Sequence, residues 1–192
     1  MPASKSAAKT ALKPIAKPVR KTLQFTAADP LLASFPPVVA QDTRTLILGS
    51  LPGAASLAVS QYYGHPRNGF WRLLSAITGE DLVAMAYEDR LQTLLAHRIG
   101  LWDVVAAARR KGSLDSNMRD IVHNDLTDLL AQLPELQTIA FNGGTAERIG
   151  RKSLGELAVG YRILALPSSS PAFTLPYADK LERWRELDTS GQ

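Results

Sequence analysis

The chain has 192 residues, 45% of them hydrophobic and 21% charged, with a net charge of +4; that is the size and composition of one globular domain with an extension. The absence of cysteine rules out a disulfide scaffold, thiolate zinc sites, iron–sulfur clusters and thiol catalysis, and three scattered histidines are too few for a zinc site. No apolar run approaches the ~18 residues of a membrane span and no signal peptide is visible, so the chain is expected in the cytoplasm with no membrane partner.

The charge is unevenly placed. Residues 1–23 hold Lys5, Lys9, Lys13, Lys17, Arg20 and Lys21 and no acid, so the other 16 of the 22 Lys and Arg face all 18 acids and the rest of the chain carries −2. Residues 1–33 are therefore expected to be a basic, disordered tail. Such a tail is either a sequence-independent tether to nucleic acid or a solubilising extension. Residues 34–192 are expected to be the folded domain.

In chain order, Phe35-Pro36-Pro37 is an extended approach. Arg44–Gly49 is a short apolar run ending at glycine, as a buried parallel strand does. Asn68–Thr78 places Phe70, Leu73, Leu74 and Ile77 at helical spacing, closed by Gly79. Leu82–Arg98 reads as a helix and Ile99–Val105 as a short strand. Ala106–Asn117 is polar and basic and reads as a loop. Asn124 or Asp125 caps a helix carrying Leu126, Leu129, Leu130 and Leu133. Gln137–Asn142 is a second clear strand, Thr145–Ser153 a short helix, and Tyr161–Leu166 a third strand. Pro176–Leu187 closes the chain as a helix with Pro at its first turn and Leu181, Trp184 and Leu187 on one face. Strands alternating with helices predict a three-layer α/β/α sandwich with a mostly parallel central sheet of about four strands.

In such sheets ligands bind outside the carboxyl ends of the strands. Three loops fall there, at 49–53, 142–145 and 167–172, and are expected to meet at one cleft. Gly49-Ser50-Leu51-Pro52-Gly53 is neither a P-loop nor a nucleophile elbow. It is a plain turn or a set of backbone donors aimed at a ligand. Gln61–Trp71 packs aromatics, an amide, His65 and Arg67 ahead of a helix. Within it Asn68 is an N-cap candidate, and the tyrosines are core edge or a stacking platform. Ser168, Ser169 and Ser170 lie between Pro167 and Pro171, which makes a plain connection or a stiff knuckle that bonds phosphates.

Taken together, these residues resemble the uracil-DNA glycosylase superfamily, and within it the hypoxanthine-DNA glycosylase family. The resemblance is carried by Leu48–Gly53, Gln61–Trp71, Leu101–Val104, Ser113–Ser116, Phe141–Gly143 and Pro167–Pro171, and it covers about residues 34–188. Its most specific part is Tyr62-Tyr63-Gly64-His65-Pro66-Arg67-Asn68 followed by Phe70-Trp71. The mismatch-specific uracil/thymine glycosylases share a similar stretch, but their first loop carries an Asn that positions water. Leu51 stands there in this chain, and a leucine can neither orient nor deprotonate water.

The resemblance implies an enzyme of base-excision repair that acts on double-stranded DNA containing deaminated bases, chiefly hypoxanthine. It implies base flipping, hydrolysis of the N-glycosidic bond, and no metal or cofactor. Asn68 would hold the water as catalytic residue, and Tyr63 would stack on the flipped base. Gly49, Ser50, Leu51, Pro52, Gly53, His65 and Asn142 would bind the base or stabilise its departing charge. Ser168, Ser169, Ser170 and Pro171 would press on the DNA backbone. His65 is as readily structural. Asp103 and Asp115 are candidate carboxylates near the cleft, with a surface or loop-fixing role expected ahead of a catalytic one. No lysine stands at a nucleophile position, so a monofunctional, monomeric glycosylase, nucleoid-associated through its DNA, is expected. A uracil/thymine mismatch glycosylase and a non-catalytic lesion-binding module are the alternatives.

Overall fold

The computed structural model describes residues 29–187. The strands are β1 (Leu31–Ala33), β2 (Thr45–Gly49), β3 (Ile99–Asp103), β4 (Val105–Arg109), β5 (Arg119–His123), β6 (Thr138–Asn142) and β7 (Arg162–Leu166). The helices are α1 (Ala54–Val59), α2 (Phe70–Thr78), α3 (Tyr87–Ala96), α4 (Leu126–Ala131), α5 (Gly144–Leu154) and α6 (Tyr177–Trp184). No helix among the described residues is long and apolar enough to cross a membrane.

The central sheet has the order β3-β2-β6-β7, and every pairing in it is parallel. Successive side chains of a strand point to opposite faces, and here they feed two cores. Leu46 and Leu48 of β2, with Ile139 and Phe141 of β6, pack on one side against Leu129 of α4 and Ile149 of α5. Ile47, Ala140 and Leu101 pack on the other side against Phe70, Leu73 and Leu74 of α2, Leu94 of α3 and Trp184 of α6. The result is the three-layer α/β/α sandwich with a four-stranded parallel sheet expected from the sequence.

A second sheet was not expected. β1, β4 and β5 form a three-stranded antiparallel sheet in the order β1-β4-β5. The segment read as one strand to Val105 breaks after Asp103. Val104 and Val105 donate their N–H groups to Gly49 O at 2.9 Å and Ser50 O at 3.1 Å, and the chain turns out of the first sheet into the second. Residues 106–109 of the supposed loop are thus strand. The sequence hid this because β5 is exposed throughout and so carries no apolar alternation. The folded part also begins earlier than residue 34, since Leu31–Ala33 pair with Ala107–Arg109. The basic residues 1–28 lie outside the described residues.

Other boundaries shift for local reasons. The helix expected from Leu82 starts at Tyr87, where Glu88 and Asp89 give its first turn the negative charge a helix N-terminus favours. Before it, Arg90 holds a turn by donating to Val83 O and Met85 O, both at 3.1 Å. Asp125 is the cap of α4, accepting the N–H of Asp128 at 3.0 Å. Asn124 instead donates to Asp103 O at 2.8 Å. Pro176 is the N-cap of α6 rather than a residue of its first turn.

Candidate active site

The carboxyl ends of the parallel strands open on a cavity of about 670 Å³, within the range of small-ligand sites. Its walls include each of the thirteen residues expected at the site: Gly49 to Gly53, Tyr63, His65, Asn68, Asn142, and Ser168 to Pro171. The three loops do converge.

The loop after β2 is held from outside the cavity. The side chain of Arg110 is fully buried beside Asp115, with Nη1 3.6 Å from Asp115 Oδ1. Its guanidinium donates to Leu51 O at 3.3 Å, to Pro52 O and to Gly112 O at 3.1 Å. A buried cation that satisfies three carbonyls fixes a loop rigidly, because removing it would strand every one of them. Leu51 is only 6% exposed and belongs to the core around β2 and β6.

Tyr63 has a left-handed backbone with φ of 55°, a conformation that costs a bulky residue energy and is kept only under constraint. One constraint is Phe70, whose ring stacks on Tyr63 with centroids 3.6 Å apart and planes 13° from parallel. The Tyr63 hydroxyl is buried without a hydrogen-bond partner. Burial is the main cause that raises its pKa, Asp103 adds to it, and the Asn142 amide opposes it.

Asp103 corrects an expectation. It is 3% exposed, so it is not a surface group. It ends β3 beside Gly49 of β2, its register partner. Its Oδ2 is buried and unpartnered. Burial, reinforced by nearby Asp115 and opposed by Arg110, pushes its carboxyl up to about 7. Asp115 also lines the cavity. Burial raises its pKa against the pull of the Ser50 hydroxyl, Arg110 and the Thr145 hydroxyl. The available signal for Asp103 was its place at a strand end.

Asn68 does not cap α2; Gly69 does. The Asn68 side-chain oxygen still accepts the N–H of Phe70 at 3.0 Å. A carbonyl oxygen has two lone pairs, so one remains for the cavity. His65 Nδ1 accepts the N–H of Arg67 at 3.0 Å. In the neutral ring, Nε2 then carries the hydrogen.

Asn142 is a staple. Its oxygen accepts Ser169 N–H at 2.8 Å, and its nitrogen donates to Ser169 Oγ at 2.9 Å. Ser169 is 2% exposed, so its hydroxyl is spent on Asn142 and does not reach a DNA backbone. Gly143, with φ of 99°, makes this closeness workable, because a Cβ there would lie 2.9 Å from Ser168 Cβ. Lys180 holds the far side of the same loop, donating to Ser170 O at 3.2 Å and Phe173 O at 2.7 Å. Phe173, 47% exposed, stands on the cavity rim; the sequence reading overlooked it.

A parallel-sheet sandwich with an aromatic-walled polar cavity at its strand ends defines a site for a planar, hydrogen-bonding ligand. Comparison with known proteins gives the class. Residues 36–188 match the model of the uracil DNA glycosylase superfamily, and the chain belongs to that superfamily. It is 43% identical over 155 residues to the hypoxanthine DNA glycosylase of Methanosarcina barkeri (strain Fusaro), an alignment covering 79% of this chain and 94% of that one. It is 47% identical over 138 residues to the hypoxanthine DNA glycosylase of Methanosarcina acetivorans, covering 72% and 85%. A solution NMR structure from Methanosarcina acetivorans, provisionally described as a uracil DNA glycosylase, superposes with a TM-score of 0.74 at 41% identity, over 83% of this chain and 98% of that one.

Proposed function

We propose that the protein is a monofunctional DNA glycosylase that removes hypoxanthine from double-stranded DNA, acting as a monomer at the nucleoid. The observation that carries the reading is the pair of buried, unpartnered polar atoms at the cavity, Tyr63 Oη and Asp103 Oδ2. A built Cβ on Gly49 would lie 2.5 Å from Asp103 Oδ1 and 3.2 Å from Tyr63 Oη, so the two side chains share one small region. An unmet buried hydrogen-bonding group costs roughly 1–3 kcal/mol and is kept where a ligand meets it.

A phenol that donates beside a carboxylate that accepts matches the C6=O and N1–H edge of hypoxanthine. Adenine presents the reverse edge, an N1 acceptor beside an amino donor. Against an ionised Asp103, adenine would leave two lone pairs facing each other. The same roughly 1–3 kcal/mol then favours hypoxanthine by about fivefold to more than a hundredfold.

The nucleotide must leave the helix to reach this cavity. Phe173 is placed to enter the gap it leaves, as apolar wedges do elsewhere. Ser168, Ser170 and Pro171 meet the backbone beside it. Phe70, stacked on the Tyr63 ring, holds the Tyr63 hydroxyl at that edge. As the glycosidic bond lengthens, the sugar gains oxocarbenium character and negative charge grows on the base. Asp115 presents negative charge toward the first, and the Asn142 amide and the Ser50 backbone present donors toward the second. Asn68 orients the attacking water through its free lone pair. An amide is not a base near neutral pH, so this is positioning.

The test is strand scission. The full chain is incubated with end-labelled duplexes containing deoxyinosine or deoxyuridine, then treated with hot alkali. Cleavage at deoxyinosine that appears only after alkali is the expected result. Preferential cleavage at deoxyuridine would replace the base assignment. Tight lesion binding without cleavage would mean a binding module.

A further inference from the structure

A second cavity of about 620 Å³ adjoins the first and shares Tyr63, His65, Asn68, Ser169 and Pro171 with it. We propose that this groove carries the phosphodiester backbone of the lesion-bearing strand on one side of the flipped nucleotide. The inference rests on the first cavity being the nucleotide pocket; it does not depend on which base that pocket takes.

Charge is the first argument. Arg67, Arg72, Arg90 and Lys180 line the groove, and among the described residues no Asp or Glu does. This is not the background of a basic domain. Beyond residue 23 the chain has 16 Lys and Arg against 18 Asp and Glu, a net −2. Four cations without an acid, in a domain that is slightly acidic, mark a face built for a polyanion.

The second argument is preorganisation. The Arg72 guanidinium lies 3.9 Å above the ring centroid of Tyr177. A stacked guanidinium keeps its N–H edge free, in the planar fork that fits phosphate. Arg90 sits 5.4 Å over Trp71, with its guanidinium donating to Met85 O and Val83 O. Lys180 donates to two carbonyls, and an ammonium has three hydrogens, so one remains. Arg67 is exposed at the mouth, and the bond made by its own main chain, to His65 Nδ1, orders the turn that carries it. A positively charged groove is how proteins follow a nucleic-acid backbone without reading its sequence.

The third argument is continuity. Asn68 and Tyr63 stand between the two cavities. A strand whose nucleotide enters the first has its next phosphates at that border. An acidic peptide would match the charge equally well, but it would have no reason to share a wall with a nucleotide pocket.

The experiment uses the full chain and its Arg72→Gln and Arg67→Gln/Arg72→Gln variants. Binding to an undamaged duplex is followed by fluorescence anisotropy across a salt series. Each lost phosphate contact should lower the slope of log K against log salt by about 0.9, so the double variant should lose nearly two. Methylphosphonate placed singly along the lesion strand should weaken the unmodified protein on one side of the lesion only, and should weaken the double variant less. An unchanged slope in a variant with unchanged thermal unfolding would overturn the proposal, as would equal methylphosphonate effects on both sides. If the double variant unfolds early, Arg72→Glu alone decides by the same slope. Should deoxyinosine resist cleavage while the slope still responds, the groove stands and the base assignment falls.

Discussion

Asp103 occupies the space that a side chain on Gly49 would need: a Cβ on Gly49 would lie 2.5 Å from Asp103 Oδ1. The two residues are register partners at the ends of neighbouring parallel strands. The first loop brings no acidic or amide side chain to the cavity, and the end of the adjacent strand places a carboxyl there. Glycine at 49 is what lets that carboxyl in. Gly49→Ala should therefore displace Asp103 or Tyr63, since neither lies at the end of a long flexible chain. We expect a loss of roughly 1–3 kcal/mol in stability, as for other overpacked sites, and at least a tenfold fall in kcat. Unfolding curves and single-turnover rates on a deoxyinosine duplex would check both. Unchanged activity would mean that the Asp103 carboxyl is not needed where it lies.

Asp103→Asn should uncouple activity from pH. With the carboxyl near 7, kcat/KM on deoxyinosine should rise as pH climbs through about 7 and then level off, because the ionised form accepts N1–H. Discrimination against adenine should rise with it, because the protonated acid can donate to adenine N1. An asparagine does not titrate, so the profile of the variant should be flat. A variant that keeps the rise would place the titrating group elsewhere.

The same substitution should stabilise the fold. The carboxyl gives up its proton near 3.8 in the unfolded chain but only near 7 in the folded one. Between those values the native state binds more protons, so stability falls as pH rises and is constant above about 7. The full shift corresponds to roughly 4 kcal/mol. Asp103→Asn should accordingly raise the melting temperature at pH 8 by more than at pH 4. Equal gains at both pH values would count against a buried, proton-holding carboxyl.

Much of this site was legible in the sequence, for a physical reason. Gly49-Ser50-Leu51-Pro52-Gly53, Asn142-Gly143 and the Pro167–Pro171 loop each follow a short run of apolar residues, and parallel topology brings the ends of such runs together. What stayed hidden lay where local pattern and tertiary role part. Asp103 was expected to face solvent or fix a loop rather than to be buried, because nothing in the order of residues marks the point at which a strand leaves one sheet for another. Arg110 looked like part of a basic loop, and only the fold shows its guanidinium turned inward onto Leu51 and Pro52 carbonyls. Ser169 looked like a DNA contact among three serines, and its burial depends on Asn142, 27 residues away. Phe173 carried no signal except exposure, which a sequence does not print.

Arg110→Met tests the anchoring of the first loop. Methionine fills the volume but gives Leu51, Pro52 and Gly112 carbonyls no donor, and it leaves Asp115 without its cation. Breaking a buried ion pair from one side costs roughly 3–5 kcal/mol. We expect a loss in that range, read by urea unfolding, together with a raised KM because the loop loses its fixed shape. A loss below about 1 kcal/mol, as for exposed ion pairs, would show that the loop holds itself.

Phe173→Ala separates the wedge from the pocket. Phe173 sits on the rim, half exposed, while Tyr63 and Asp103 lie deeper, so truncating it should leave base recognition intact. In a duplex the wedge offsets an unstacking cost of a few kcal/mol. In a single strand that cost is largely absent. We therefore expect the variant to lose tenfold or more in excision of deoxyinosine from a duplex and little from a single-stranded oligonucleotide. Asn68→Ala should behave in the opposite way, with turnover falling on both substrates by about 10²-fold or more while binding of the lesion duplex persists. Side-by-side single-turnover rates on the two substrates distinguish the roles. If Phe173→Ala lost activity equally on both, the ring would be acting on the base itself and would belong to the pocket wall.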